Sequence, residues 1–193
     1  MGIPTIRKVV KQSELEYRLS EKRFSQQATS LNQLMKNKYT EHKLAAILFL
    51  QLFGQGTDPE KILHLVSNWF DQRWINDWNV CDWLCVRVLT PIIDQHPQKA
   101  VKAFQLWNKD NYLWKARASL VPFAQCKTIA DHKIIIRDLS EVLILREERF
   151  CKTAVGWVMR EYSKIDENYV HLFLDEFGES TTKEVIRNAT KYM

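Results

Sequence analysis

Phe150-Cys151-Lys152-Thr153-Ala154-Val155-Gly156-Trp157-Val158-Met159-Arg160-Glu161-Tyr162 reads as a helix, because apolar residues recur at three- and four-residue intervals and nothing alternates as a strand would. Its middle is unusual. Trp157 follows Gly156 directly among small neighbours, although glycine inside a helix costs about 1 kcal/mol relative to alanine. That pairing suggests a helix surface cleared so that something can approach the indole face. Working outward, Ala45, Cys81 and Ala116 hold the same mid-helix place as Ala154, at spacings of 36, 35 and 38 residues. Each of these helices is followed by a second amphipathic one. A two-helix unit recurring at that period predicts an all-α fold, an α-solenoid of HEAT-like repeats, curved, with equivalent helices lining a concave binding face.

The same periodicity predicts helices at roughly 5–19, 24–36, 41–53, 59–70, 78–94, 98–108, 112–125, 131–145, 148–164, 167–177 and 181–192. Punctuation agrees with these bounds. Gly54 and Gly56 close one helix, and Thr57-Asp58-Pro59-Glu60 opens the next with a cap followed by proline. His96-Pro97, Gly178 and Ser180-Thr181-Thr182 mark later boundaries. No linker or low-complexity segment interrupts the chain, so residues 1–193 are expected to form a single domain.

Only five glycines and five prolines occur in 193 residues, too few for a sandwich or barrel built on many tight turns. The formal charge of +5 is concentrated at the start. Residues 1–40 carry eight basic and three acidic side chains (8 − 3 = +5), whereas 41–193 carry twenty of each. Arg7, Lys8, Lys11, Arg18, Lys22 and Arg23 supply most of that excess. It suits a polyanionic partner or a merely solvated helical surface, and charge alone favours neither. Cys81, Cys85, Cys126 and Cys151 form no C-x-x-C pair, and reduced core thiols are expected. No histidine has zinc spacing, and none of the five histidines shows a pattern. The longest apolar run, Leu44 to Leu50, is too short to span a membrane. A soluble monomer without metal or organic cofactor is expected, cytoplasmic in a bacterium or nuclear in a eukaryote.

Two further helices repeat the tryptophan theme. Trp78 and Asp82 are four apart and so share a helical face, and Arg117 follows Trp114 by three. The solenoid expectation sets these pairs and Trp157 side by side on one wall. There an aspartate stabilises a developing cation or orients a water. An arginine grips phosphate with two prongs. Aromatic faces attract cations and stack on sugars and bases. The combination suits an anionic polymer bearing a local positive charge, which describes an alkylated purine nucleotide.

The sequence resembles the AlkD-type DNA alkylation repair family, the HEAT-like-repeat DNA glycosylases, over essentially its whole length. Asp77-Trp78-Asn79-Val80-Cys81-Asp82 is similar to the family's W-x-x-x-D, and Trp114-Lys115-Ala116-Arg117-Ala118 to its W-x-x-R-A. Ala154 to Tyr162 is similar to its A-x-G-W-x-L-R-E-Y, with Met159 at the leucine. The resemblance implies a monofunctional hydrolase of base excision repair that removes N3- and N7-alkylated purines, 3-methyladenine and 7-methylguanine, from double-stranded DNA. It implies Asp82 as the catalytic aspartate, Trp78 and Trp157 flanking the lesion, and Arg117 on the backbone. No lysine is placed for Schiff-base chemistry, so strand cleavage is not expected. Met1-Gly2-Ile3-Pro4-Thr5 looks like the family's G-[IV]-x-T-P loop with Ile6 in place of proline, and members usually carry further helices before it. A shortened DNA cradle is therefore expected.

Each assignment has a structural rival. Asp82 also reads as a buried cap on a neighbouring helix, Arg117 as a partner for an acidic residue of an adjacent repeat, and Lys115, Lys152 and Arg160 as solvated surface rather than phosphate contacts. Trp114 reads as core, and Trp69, Trp74, Trp83 and Trp107 as packing. Two other functions also fit a helical stack. One is a DNA-binding relative without glycosylase activity, and the other is a scaffold for protein partners.

Overall fold

The structure, a computed structural model, describes residues 2–193. Met1, the first residue of the segment expected to form a loop at 1–5, lies outside the described residues. All regular structure among the described residues is helical. Contacts group the chain into two units, Met1–Val88 and Leu89–Met193.

The first unit contains α1 (Ile3–Tyr17), α2 (Phe24–Lys36), α3 (Thr40–Phe53), α4 (Pro59–Asp71) and α5 (Trp78–Leu84). Ile3–Thr5 is helical rather than loop, because Pro4 falls in the first turn, where a fixed φ and a missing N–H cost nothing. Alternate helices stack in two layers: α1 packs on α3 and α3 on α5, while α2 packs on α4. Leu31, Met35, Ile47, Trp69 and Phe70 fill the space between them. Trp69 Nε1 donates to Asn32 Oδ1 at 2.7 Å, tying α4 to α2. Asp58 caps α4 through the Glu60 N–H at 3.1 Å, as its place before Pro59 predicts.

The second unit contains α6 (Thr90–Gln95), α7 (Pro97–Asn108), α8 (Leu113–Ala118), α9 (Lys133–Ile144), α10 (Arg149–Ser163), α11 (Glu167–Glu176) and α12 (Lys183–Ala189). Here α8 packs on α10 and α10 on α12, while α7 packs on α9. Ion pairs Lys133–Asp166 at 2.8 Å and Arg137–Glu176 at 2.7 Å link α9 to α11. Phe104, Phe123, Val155, Val158 and Phe173 form the core.

The repeat is also visible in the long-range hydrogen bonds. Lys43 to Trp74, Trp69 to Asn32, Arg117 to Phe150, Arg149 to Glu184 and Arg137 to Glu176 join residues 31 to 39 positions apart. Within each unit these elements lean on their equivalents one repeat away, as nearest-neighbour stacking requires.

Two expected helices are broken, each beside a proline. In place of one helix at 78–94, a wider π-helical turn at Cys85–Leu89 separates α5 from α6. Pro91 has no N–H to offer the Arg87 carbonyl, and its ring crowds that oxygen. The expected helix at 112–125 stops at Ala118 and resumes as a 3-10 turn at Val121–Gln125, four residues after Ala118 being Pro122. All four cysteines are buried and unbridged. No helix among the described residues is long and apolar enough to cross a membrane.

Gly156 corrects one expectation. The surface it clears is occupied by the protein itself. A Cβ at Gly156 would meet the Val185 carbonyl oxygen of α12 at 3.2 Å and the Val185 Cα at 3.3 Å. The glycine lets α10 and α12 approach and does not open a path to the indole. Gly156→Val is therefore expected to destabilise the fold by about 1–3 kcal/mol through overpacking. Thermal unfolding would read this as a fall of roughly 3 to 10 °C in Tm; an unchanged Tm would remove the close-approach argument.

Candidate nucleic-acid interface and active site

In α5 the core takes Val80, Cys81 and Leu84. The opposite face carries Trp78, 56% exposed, and Asp82, half-buried, one turn further on. An indole this exposed adds little to the core, since most of its area still meets water. Asp77 Oδ1 accepts the Val80 N–H at 2.9 Å and caps the helix, which fixes Trp78 as its first residue. Further along, the Arg87 guanidinium lies 4.9 Å from the centroid of Trp83, a cation–π distance.

One residue behind this helix was not singled out from the sequence. Lys43 of α3 is buried, and its ammonium donates to the Trp74 carbonyl and lies 3.5 Å from Asn76 Oδ1. It thereby pins the segment that leads into α5. Burial lowers its pKa below the ordinary lysine value, opposed by the nearby Asp77 carboxylate. The available signal was its register: Lys43, Ile47 and Leu50 stand at i, i+4 and i+7, so the lysine lies on an apolar stripe.

The second unit holds the other candidates. Trp157 is half-buried on α10, and its Nε1 is buried with no acceptor. Its hydrogen-bonding edge thus points inward, and what it offers outward is carbon. Arg117, only 5% exposed, donates from Nη1 to the Phe150 carbonyl at 2.6 Å and to Thr153 Oγ1 at 3.3 Å. It holds the first turn of the helix that carries Trp157. Trp114 packs against Phe150 in a tilted contact with centroids 4.8 Å apart, in the core position expected. Lys115 is buried and pairs with Asp110 at 3.3 Å. Lys152 Nζ donates to the Ser180 carbonyl at 2.7 Å. Arg160 pairs with Glu161 at 2.8 Å and donates to Asn188 Oδ1 at 3.2 Å. Each cation expected at phosphate therefore has an acceptor inside the protein. Among the described residues no cluster of histidine, cysteine, aspartate or glutamate could hold a metal ion.

Helices stacked in two layers within each unit, with an exposed tryptophan one turn from an aspartate on α5, define a helical-repeat protein that presents an aromatic and an acidic group beyond what packing needs. The chain belongs to a family described as DNA alkylation repair enzyme, whose model matches residues 1–193. Membership supports a role in alkylation repair and, with it, a DNA partner. Among solved structures the fold is similar to a chain described as "Predicted DNA alkylation repair enzyme from Enterococcus faecalis", with TM-score 0.78 and 16% identity, over 100% of this chain and 86% of that one. No curated protein matches the sequence.

Proposed function

We propose that this protein is a monofunctional glycosylase that hydrolyses the N-glycosidic bond of N3- and N7-alkylated purines in double-stranded DNA. The observation that carries the reading is Trp78, exposed on α5 with Asp82 one turn away, in a chain of the alkylation repair family. An N-alkylated purine already bears positive charge and leaves readily, so little acid catalysis is needed. As the bond breaks, positive charge grows on the deoxyribose. The Asp82 carboxylate stabilises that charge and orients the attacking water. Trp78 and Trp157 contact the sugar and the lesion. The outward carbon of Trp157 suits stacking and van der Waals contact rather than hydrogen bonding. The glycosidic bond breaks as the neutral base departs with its electron pair, water adds to the anomeric carbon and gives up one proton to solvent, and an abasic site is left in an intact strand.

Among the cations, Arg117 acts chiefly by holding α10 and so places Trp157. Lys115, Lys152 and Arg160 reach phosphate by exchanging their present acceptors for it. Incubation with methylated duplex DNA, followed by chromatography of the free bases, tests the reading. Release of 3-methyladenine and 7-methylguanine is expected. Binding to duplex without release would leave the non-catalytic DNA-binding function, and neither binding nor release would leave the protein scaffold.

Lys43 gives a separate prediction. Lys43→Met keeps the stem's bulk but frees the segment 74–77 that orients α5. Release is expected to slow by about 10-fold at saturating substrate, with the protein still folded, since a small misplacement of a reacting group is costly. An unchanged rate would reduce Lys43 to a buried curiosity of packing.

A further inference from the structure

Trp157, Arg160 and Lys164 stand at i, i+3 and i+7 along α10 and its end, so they follow one stripe of the helix surface. At the far end of that stripe lies Tyr192, 50% exposed. Lys164 Nζ is 4.3 Å from its ring centroid, Lys191 Nζ 5.7 Å and Arg160 Cζ 5.8 Å. Three cations thus surround one exposed aromatic ring. The Glu161 carboxylate accepts from two of them, Arg160 and Lys164. Burial pushes the Glu161 carboxyl up, but the hydrogen bonds from Lys164 and Arg160 outweigh it and hold the pKa below the usual range. Glu161 is therefore ionised at neutral pH and offsets part of the charge on Arg160 and Lys164, while Lys191 also stands beside the ring.

We propose that Lys164, Lys191 and Tyr192 form a grip for the DNA backbone on one flank of the lesion, resting on the reading of Trp157 given above. Lysine ammonium groups held over an exposed tyrosine face suit phosphate together with a sugar or base edge. The stripe also sets the distance. Seven helical residues from Trp157 to Lys164 span about 10 Å at 1.5 Å each. At about 3.4 Å of rise per nucleotide, that is roughly three base steps. The grip holds phosphates about three nucleotides from the damaged one, and its contacts are independent of sequence.

The test compares Lys164→Gln/Lys191→Gln with Lys102→Gln/Lys109→Gln, which removes equal charge from exposed positions in and just after α7. Binding to an undamaged duplex is measured across a range of salt, and base release is measured in single turnover at saturating protein. The first variant is expected to bind on the order of 10-fold more weakly, with a salt slope shallower by about two. Its saturated release should match the native protein, and the control should match in both. Tyr192→Ala should weaken binding without altering the slope. Equal slopes and affinities in the native protein and the first variant, or an equal loss in the control, would overturn the grip. So would a native protein that does not bind duplex at all. A native protein that binds with the predicted charge dependence yet releases no base would instead overturn the glycosylase reading and leave the grip standing.

Discussion

Asp82→Asn is expected to slow release of 7-methylguanine from methylated duplex by about 100- to 1000-fold, some 3–4 kcal/mol of barrier. Asparagine keeps the shape and most hydrogen-bonding capacity of aspartate but lacks the charge. The loss therefore falls on the transition state, where the sugar is cationic, and spares the folded protein and its ground-state complex with DNA. Asp82 is half-buried, so water screens its field less than it would at a fully exposed position. A purely structural aspartate predicts the reverse: a lower Tm and an unchanged rate for whatever protein remains folded. Measuring rate at saturation, duplex affinity and Tm on one preparation separates these outcomes.

Arg117→Met should instead act on the fold. Methionine retains a flexible apolar stem but leaves the Phe150 carbonyl and Thr153 hydroxyl without the guanidinium. Loss of buried hydrogen bonds to a charged group costs about 2–3 kcal/mol, or roughly 4 to 12 °C in Tm for a chain of this size. Because those bonds fix the first turn of α10, the variant should also release base more slowly through a displaced Trp157. If Arg117 acts mainly on phosphate, Tm will hold while the salt slope of duplex binding becomes shallower by about one.

The helices were legible because each buries one stripe, and a 3.6-residue period leaves that stripe in the sequence. Caps such as Asp58 before Pro59, or Thr182 before α12, were legible because their partners lie two or three residues away. The two-layer stacking was legible from the spacing of Ala45, Cys81, Ala116 and Ala154. What was not legible depends on partners a full repeat away. Gly156 answers to Val185, Arg117 to Phe150, Lys152 to Ser180 and Lys43 to Trp74. A cation on a helix looks alike in the sequence whether its head meets water or a neighbour's carbonyl. Pro91 and Pro122 were visible, but their effect depended on whether the helix would absorb them as a kink, a wider turn or a stop. For the candidate site, the sequence offered Trp78 and Asp82 on one face of α5, and the exposure of Trp78 was added only by the fold. Tyr192 gave no signal, because its three cations come from two separate segments.

A duplex carrying a single 7-methylguanine, incubated with excess protein and divided between hot alkali and neutral buffer, tests the central claim most directly. The account predicts strand breaks at the lesion that appear with time and only after alkali, the mark of an abasic site in an uncut strand. Breaks no more frequent than in protein-free DNA, under conditions where the duplex is fully bound, would contradict it.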